Sequence, residues 1–351
     1  MKINDLELFL VAVGHNDLQT PFHAVLVRVS TAGGWEGWGE SGLNWRIGEL
    51  SARREAILAV LAGRSAYDIE EIHTLEALDS APLRSAVEMA LWDLVARRLR
   101  QPLCNLFGGY FRRRVPISVT IPLEAHRASQ AAHMARDRVD QGYRTLMLTT
   151  SGQPEEDLAA LAAVRERVGD RVELRFDGLS RYEMDVARDL CASPEFEGLQ
   201  FWLDPLNTPD LYRLASLGRQ TSVPLAARRT IHGPADVFSA VRGGALSHIM
   251  VDLEQVGGMI PARACAAVAM AAGVNSLLAG RPSVGIATAA MLHLAAAVPA
   301  FSGSNEIASR QLHDTVIANR FETIDGMITT PQGPGLGIEV DRAKVEKYQI
   351  A

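Results

Sequence analysis

The first forty residues alternate apolar and polar positions: Ile3, Leu6, Leu8 and Leu10, then the run Ala24-Val25-Leu26-Val27-Arg28-Val29. A period near two predicts strands with one buried face. Gly33-Gly34 supplies a turn, and Trp35-Glu36-Gly37-Trp38-Gly39-Glu40 reads as the returning strand, so a small antiparallel sheet is expected. The period then lengthens. Helices are predicted over about 50–62 and 82–100, the second with Val87, Ala90, Leu91, Leu94 and Val95 on one face. Gln101-Pro102 ends it, because the residue before a proline is pushed out of the α region.

From about residue 115 short apolar runs alternate with amphipathic stretches. Strands are predicted at 115–121, 144–149, 172–176, 199–203, 224–227, 248–251 and 274–279, with helices such as 154–168, 235–241 and 260–272 between them. A short eighth strand is expected near 301–304. Repeated βα units favour an α/β fold of the parallel (β/α)8 TIM-type barrel class. An open doubly wound sheet is the alternative on pattern alone, but no P-loop lysine supports it, and the GxGxxG match at Gly37–Gly42 falls in the predicted antiparallel sheet, outside the βα units.

Composition narrows the function classes. With 351 residues, 48% hydrophobic and 22% charged, the chain can bury a large core and is not generally disordered. A net charge of −6 implies no basic face, so neither nucleic acid nor an anionic membrane is an expected partner. No apolar run approaches the roughly 20 residues of a membrane helix. The opening MKINDLELFL places acids where a signal peptide would be apolar. Cys104, Cys191 and Cys265 form no CxxC pattern and read as buried thiols in a reducing compartment, so a cytoplasmic location is expected. Lysine occurs only at Lys2, Lys344 and Lys347. The middle of the chain therefore offers no lysine base or Schiff base unless a terminus reaches in.

A barrel enzyme carries its chemistry at the C-terminal ends of its strands. The predicted ends read Leu148-Thr149, Phe176-Asp177, Leu203-Asp204, Ala227-Arg228-Arg229, Val251-Asp252 and Ala279-Gly280-Arg281, and Glu306 follows the eighth. One aspartate after a strand is ordinarily a loop charge or a helix cap. Four carboxylates and two or three guanidiniums aimed at one mouth point instead to an active or formerly active site.

Several short motifs, in order, carry a family resemblance. They are Gly37-Trp38-Gly39-Glu40-Ser41; Ala86-Val87-Glu88-Met89-Ala90-Leu91-Trp92-Asp93 with Gln101-Pro102-Leu103 and Leu106-Phe107-Gly108-Gly109; Trp202-Leu203-Asp204-Pro205-Leu206; Val256-Gly257-Gly258; His293-Leu294-Ala295-Ala296-Ala297; and Gly333-Pro334-Gly335-Leu336-Gly337. Over nearly its whole length the chain resembles the enolase superfamily, on the mandelate racemase and muconate lactonizing enzyme side. The resemblance implies an α+β capping domain over the barrel mouth. Residues 1–115 would form it, completed by about 326–351, with the barrel over 116–325. A homo-oligomer is expected.

The resemblance also implies a chemistry. Members of the family bind a carboxylate substrate to Mg2+ and remove the proton α to it, using a Lys or His base. Three acids at successive strand ends hold the metal. In this chain the first matches Asp177, although the asparagine usual two residues later is Leu179, and the second matches Asp204 in place of a glutamate. The third should fall at 229, or at 228 in the muconate branch, and both are arginine. The Lys-x-Lys bases fall on Met147 and Thr149. Asp252 matches the strand-six acid of the Asp–His branch, but the histidine window reads Ala279-Gly280-Arg281. Glu306 matches the glutamate after the last strand. An arginine offers a metal no lone pair and stays protonated. No cofactor is therefore expected, although Mg2+ is the family's metal, and Asp177 and Asp204 are the remnant metal positions.

Two functions stay open. In the first, an enzyme of isomerase or dehydratase type acts on a small carboxylate, an acid sugar or amino-acid derivative, with arginine replacing the metal. Its catalytic residues would be Asp252, Arg229, Glu306 and His232, and Arg228, Arg281, Thr149 and Trp45 would bind substrate. Arg229 is expected to hydrogen-bond Asp177 and Asp204 through its guanidinium. The ordinary reading of His232 is a solvated histidine at a helix start. In the second, Arg229 merely neutralises the acids of a non-catalytic, ligand-binding descendant. The loops near 14–22 and 43–47 of the cap, the latter with Trp45 and Arg46, would select the ligand.

Overall fold

The computed structural model describes residues 1–350 apart from 17–19, 124–126 and 308–311. The chain opens with an antiparallel meander of β1 (Ile3–Val13), β2 (Phe22–Thr31) and β3 (Glu36–Ser41). The helices α1 (Leu50–Leu61) and α2 (Ala81–Arg98) pack on it. The contact between β3 and α2 explains the Gly-Trp-Gly motif. A Cβ on Gly37 would lie 2.1 Å from the carbonyl oxygen of Ala90, and one on Gly39 would lie 1.9 Å from that of Ala86. Only glycine lets strand and helix backbones approach so closely. A one-turn helix, α3 (Leu103–Leu106), follows Pro102.

Eight parallel strands come next in sequence and spatial order: β4 (Arg114–Pro122), β5 (Thr145–Thr149), β6 (Glu173–Asp177), β7 (Phe201–Leu203), β8 (Leu225–Ala227), β9 (Leu246–Val251), β10 (Asn275–Leu278) and β11 (Asn305–Glu306). Helices α4 (Ala128–Asp140), α5 (Pro154–Val168), α6 (Met184–Cys191), α7 (Leu211–Gly218), α8 (Pro234–Gly243), the single turn α9 (Leu253–Val256), α10 (Met259–Ala271) and α11 (Ile286–Ala297) alternate with them. This is the (β/α)8 barrel that the pattern predicts. The eighth strand lies at Asn305–Glu306 and not at 301–304. It pairs with β4, and the buried Asn305 side chain closes the ring by accepting the N–H of Leu278 on β10 at 2.8 Å.

Inside the ring, Met147, Phe201, Leu203, Ala226, Met250, Leu277 and Ala279 form one cluster. These residues occupy alternate positions along their strands, which defines the inward phase of each. Arg175 on β6 is fully buried, with its guanidinium 4.9 Å from the Phe201 ring and Nη1 on the Ser304 carbonyl at 2.7 Å. Burial holds it down to about 10.

The tail returns to both halves. The hairpin of β12 (Thr323–Ile324) and β13 (Met327–Thr329) pairs with the start of β4, while Gln349 pairs with Val11 beyond α12 (Arg342–Tyr348). Asp93 on α2 ties three segments together. It accepts the N–H groups of Trp38 at 3.0 Å and Leu336 at 2.8 Å, and Nε of Arg97 at 2.9 Å. Gly335, at φ +72°, sits so near Asp93 Oδ1 that a Cβ would be 2.2 Å from it. Among the described residues no helix is long and apolar enough to cross a membrane.

Candidate active site

The loops after β6 and β7 zip together. The N–H of Gly178 donates to Leu203 O at 2.9 Å, and that of Ser180 donates to Asp204 O at 2.8 Å. Leu179, Ser180 and Asp204 adopt φ values of 48°, 57° and 40°. Such left-handed non-glycine residues cost on the order of 1–3 kcal/mol each and persist only when surroundings enforce them. Here they turn Asp177 and Asp204 toward one another, both almost fully buried. Burial and the neighbouring Asp204 charge push Asp177 up to about 7, against the opposing pull of the Leu179 N–H at 2.8 Å and of Arg228. Burial likewise raises Asp204, opposed by the backbone N–H groups of Arg228 and Arg229, each 3.0 Å from one of its oxygens.

Arg228 is the centre of the mouth. Nη2 lies 3.2 Å from Asp252 Oδ2, and Nη1 lies 3.4 Å from Glu306 Oε2. Burial opposes its charge, but Glu306, Asp252 and Asp177 together hold its pKa above the ordinary arginine value. Its carbonyl accepts Gln255 Nε2 at 2.8 Å, and the same amide also bonds Ile231 O at 3.0 Å, which fixes the backbone from behind. Glu306 accepts Thr120 Oγ1 at 3.1 Å. Asp252 takes Arg281 Nε at 2.6 Å as well as Arg228 on Oδ2, while its Oδ1 caps α9 through the N–H groups of Glu254 and Gln255.

The structure therefore brings Asp177, Asp204, Arg228, Asp252, Arg281 and Glu306 together, and places Arg229 differently from expectation. Only the Arg229 backbone N–H bonds Asp204. Its guanidinium reaches that carboxylate no nearer than 3.9 Å, and the side chain is 46% exposed. Arg228, not Arg229, makes the paired contacts, because strand alternation continues from inward Ala226 to 228 and sends 229 outward. His232 is exposed, with its N–H on Asp236 at 2.8 Å, and shares an outer cavity with Arg229. Asp252 has every acceptor direction filled and serves as an anchor. Thr149 ends β5 in register with Asp177. Trp45 packs on the cap core with the Arg53 guanidinium 5.2 Å from its ring.

The cap closes on this mouth at three points. Buried Glu40 accepts the N–H of Val284 at 2.6 Å and Ser283 Oγ at 2.9 Å in the loop after β10, and the N–H of Ala287 in the first turn of α11 at 2.9 Å. Glu254 accepts the N–H of Gly42 at 2.9 Å, and burial together with Asp252 pushes it up to about 7. The N–H of His313 donates to Gly14 O at 2.8 Å. Residues 17–19 of the expected 14–22 specificity loop lie outside the described residues. Glu40 stood in a quoted sequence motif, whereas Thr120, Glu254 and Gln255 carried no signal beyond proximity to strand ends.

Among the described residues no three His, Cys, Asp or Glu side chains converge as metal ligands. Both Asp204 oxygens are engaged by backbone N–H groups, and a buried guanidinium stands beside the two acids. At about 4 Å and an effective dielectric near 20, each like-charge pair with a cation costs on the order of 4 kcal/mol. The residues present do not fit a divalent metal.

Residues 130–344 match the family described as enolase C-terminal domain-like, and residues 10–108 match the mandelate racemase/muconate lactonizing enzyme N-terminal domain. The chain belongs to the enolase superfamily. Within it, the chain is 29% identical over 339 residues to muconate cycloisomerase 1 of Rhodococcus opacus, covering 92% of this chain and 90% of that one. It is 29% identical over 358 residues to L-Lys-D/L-Arg epimerase of Methylococcus capsulatus, covering 96% and 99%. The crystal structure of a mandelate racemase/muconate lactonizing family protein from Azoarcus sp. shares the fold with a TM-score of 0.90 at 23% identity, covering 100% and 98%.

Proposed function

We propose that this superfamily member binds a small carboxylate at the barrel mouth and acts on it as an isomerase or dehydratase, with the Arg228 guanidinium supplying the fixed positive charge in place of a metal. The observation that carries this reading is the position of Arg228, bridged to Asp252 and Glu306 and electrostatically coupled to Asp177. Fixed by its neighbours, the guanidinium is preorganised to hold charge that develops on a substrate carboxylate. Asp177, not the saturated Asp252, is the group to move the proton. Among the described residues its Oδ2 has no hydrogen-bond partner, and its pKa near 7 suits both accepting and returning a proton. The α-proton passes to Asp177 Oδ2 and the electron pair enters the carboxylate held by Arg228; as that pair returns to form the Cα–Cβ double bond, a β-hydroxyl departs and takes the proton from Asp177, leaving as water, so one acid–base group suffices for the dehydratase reaction. Muconate, in the name of one relative, is a small carboxylate.

One observation favours the non-catalytic alternative. The positions of the family bases carry Met147, Thr149 and Ala279, and Met147 and Ala279 line the apolar barrel interior. A turnover screen of acid sugars and amino-acid derivatives, run with EDTA and with Mg2+, separates the two. The proposal expects turnover that is indifferent to EDTA and lost in Arg228→Met and Asp177→Asn. Saturable binding without turnover supports the ligand-binding reading, and turnover that requires Mg2+ overturns the arginine substitution.

A further inference from the structure

Outside the mouth, between the N-terminal end of α7 and the length of α8, lies a cavity of about 650 Å³ lined by Asp210, Tyr212, Arg229, His232, Asp236 and Arg242 among others. Its charged groups are unequally committed. Asp210 caps α7 through the N–H groups of Tyr212 at 2.6 Å and Arg213 at 3.3 Å, and Asp236 accepts the N–H of His232 at 2.8 Å. Among the described residues the basic groups are not so engaged. Arg229 reaches a carboxylate only at 3.9 Å, and the contact of Arg242 is with the Phe238 ring at 5.8 Å. Thr230 Oγ1, buried in the same wall, has no hydrogen-bond partner among the described residues. Tyr212, 87% exposed, stands at the rim.

We propose that this cavity is a second ligand site, separate from the mouth, that takes a small oxyanion carrying phosphate or carboxylate groups. Two guanidiniums present forked donors that match a planar or tetrahedral oxyanion bidentately. The exposed His232 ring offers a nitrogen beside them. A volume in the range of roughly 300–1,000 Å³ suits a metabolite-sized ligand. Both acids keep their charge, but Asp210 caps α7 and Asp236 stands in the first turn of α8, where the helix N-termini offset part of it, and among the described residues no ion pair closer than 3.9 Å has to be displaced.

Calorimetric titration of the full chain at low ionic strength, with pyrophosphate in one arm and succinate in the other, tests this and identifies which anion the site takes. Saturable binding in at least one arm is expected, weakened about tenfold or more in Arg242→Gln and in Arg229→Gln. Arg167→Gln, which removes an exposed arginine of α5 that belongs to neither site, should bind as the wild type does. Near-ultraviolet circular dichroism of each variant establishes that it is folded. Absence of saturable binding in both arms overturns the proposal, as does binding that survives both arginine substitutions in every arm where it is seen, or that is lost in Arg167→Gln. The mouth reading stands or falls independently, on turnover.

Discussion

Arg228 and Asp252 form the charged axis of the barrel mouth, with Nη2 3.2 Å from Oδ2. The aspartate is 3% exposed and the arginine 19%, so neither charge is strongly solvated. Such a pair contributes little net stability against an apolar substitute, but breaking it on one side strands the remaining charge.

Arg228→Met should therefore destabilise the fold by about 3–5 kcal/mol, because Asp252, Glu306 and Asp177 lose their common counter-ion. Arg229→Met should change stability by no more than about 0.5 kcal/mol, since that side chain is half exposed. Urea titrations of both variants decide it. A larger loss at 229 than at 228 would reverse the assignment of the inward arginine.

Asp177 makes stability depend on pH in a definite direction. Its folded pKa of about 7 lies above the ordinary 3.8. The folded state therefore binds the proton more tightly, and stability should fall as pH rises from about 4 to about 7, then level off. Other buried acids share this window, so the test is a difference: Asp177→Asn should lose less stability than the wild type between pH 4.5 and 7.5. Parallel slopes for the two proteins would contradict the burial argument.

Mg2+ should not raise the melting temperature of the wild-type chain, and EDTA should not lower it. A ligand that binds only the folded state raises the transition by linkage, by about 2.7 kcal/mol at a hundredfold excess over its dissociation constant. A Mg2+-dependent rise would show that Asp177 and Asp204 hold the ion despite Arg228.

Gly39→Ala should be among the most damaging single substitutions in the cap, costing more than about 3 kcal/mol or abolishing soluble expression. The added methyl carbon would meet the Ala86 carbonyl at 1.9 Å, and a helix backbone cannot yield as a side-chain tip can. Gly34→Ala is the control. It has the strain of φ +77° but open space around it, and should cost about 1 kcal/mol. Thermal melts of the pair separate steric from conformational effects.

Much of the architecture was legible from periodicity. The bounds of α5 were predicted to the residue, because Pro154 opens the helix, Glu155, Glu156 and Asp157 fill its first turn and Gly169 stops it at φ +75°. The eighth strand was placed too early. It has two residues, and what marks it is a buried asparagine side chain bridging to β10, which no hydrophobic pattern signals.

The sequence by itself determined the barrel and the charged ring at its strand ends. Those features depend on residue type and spacing along one chain. Only the tertiary structure decided which arginine turns inward. β8 is three residues long, too short to reveal its own phase, and that phase is set by Ala226 packing among Phe201, Met250 and Leu277 from other strands. The left-handed turn at Asp204 is likewise invisible in sequence, since a non-glycine residue holds φ +40° only because the neighbouring loop and two backbone N–H groups grip it. Asp252 could be read as a base until the fold filled its four acceptor directions with groups from three separate segments.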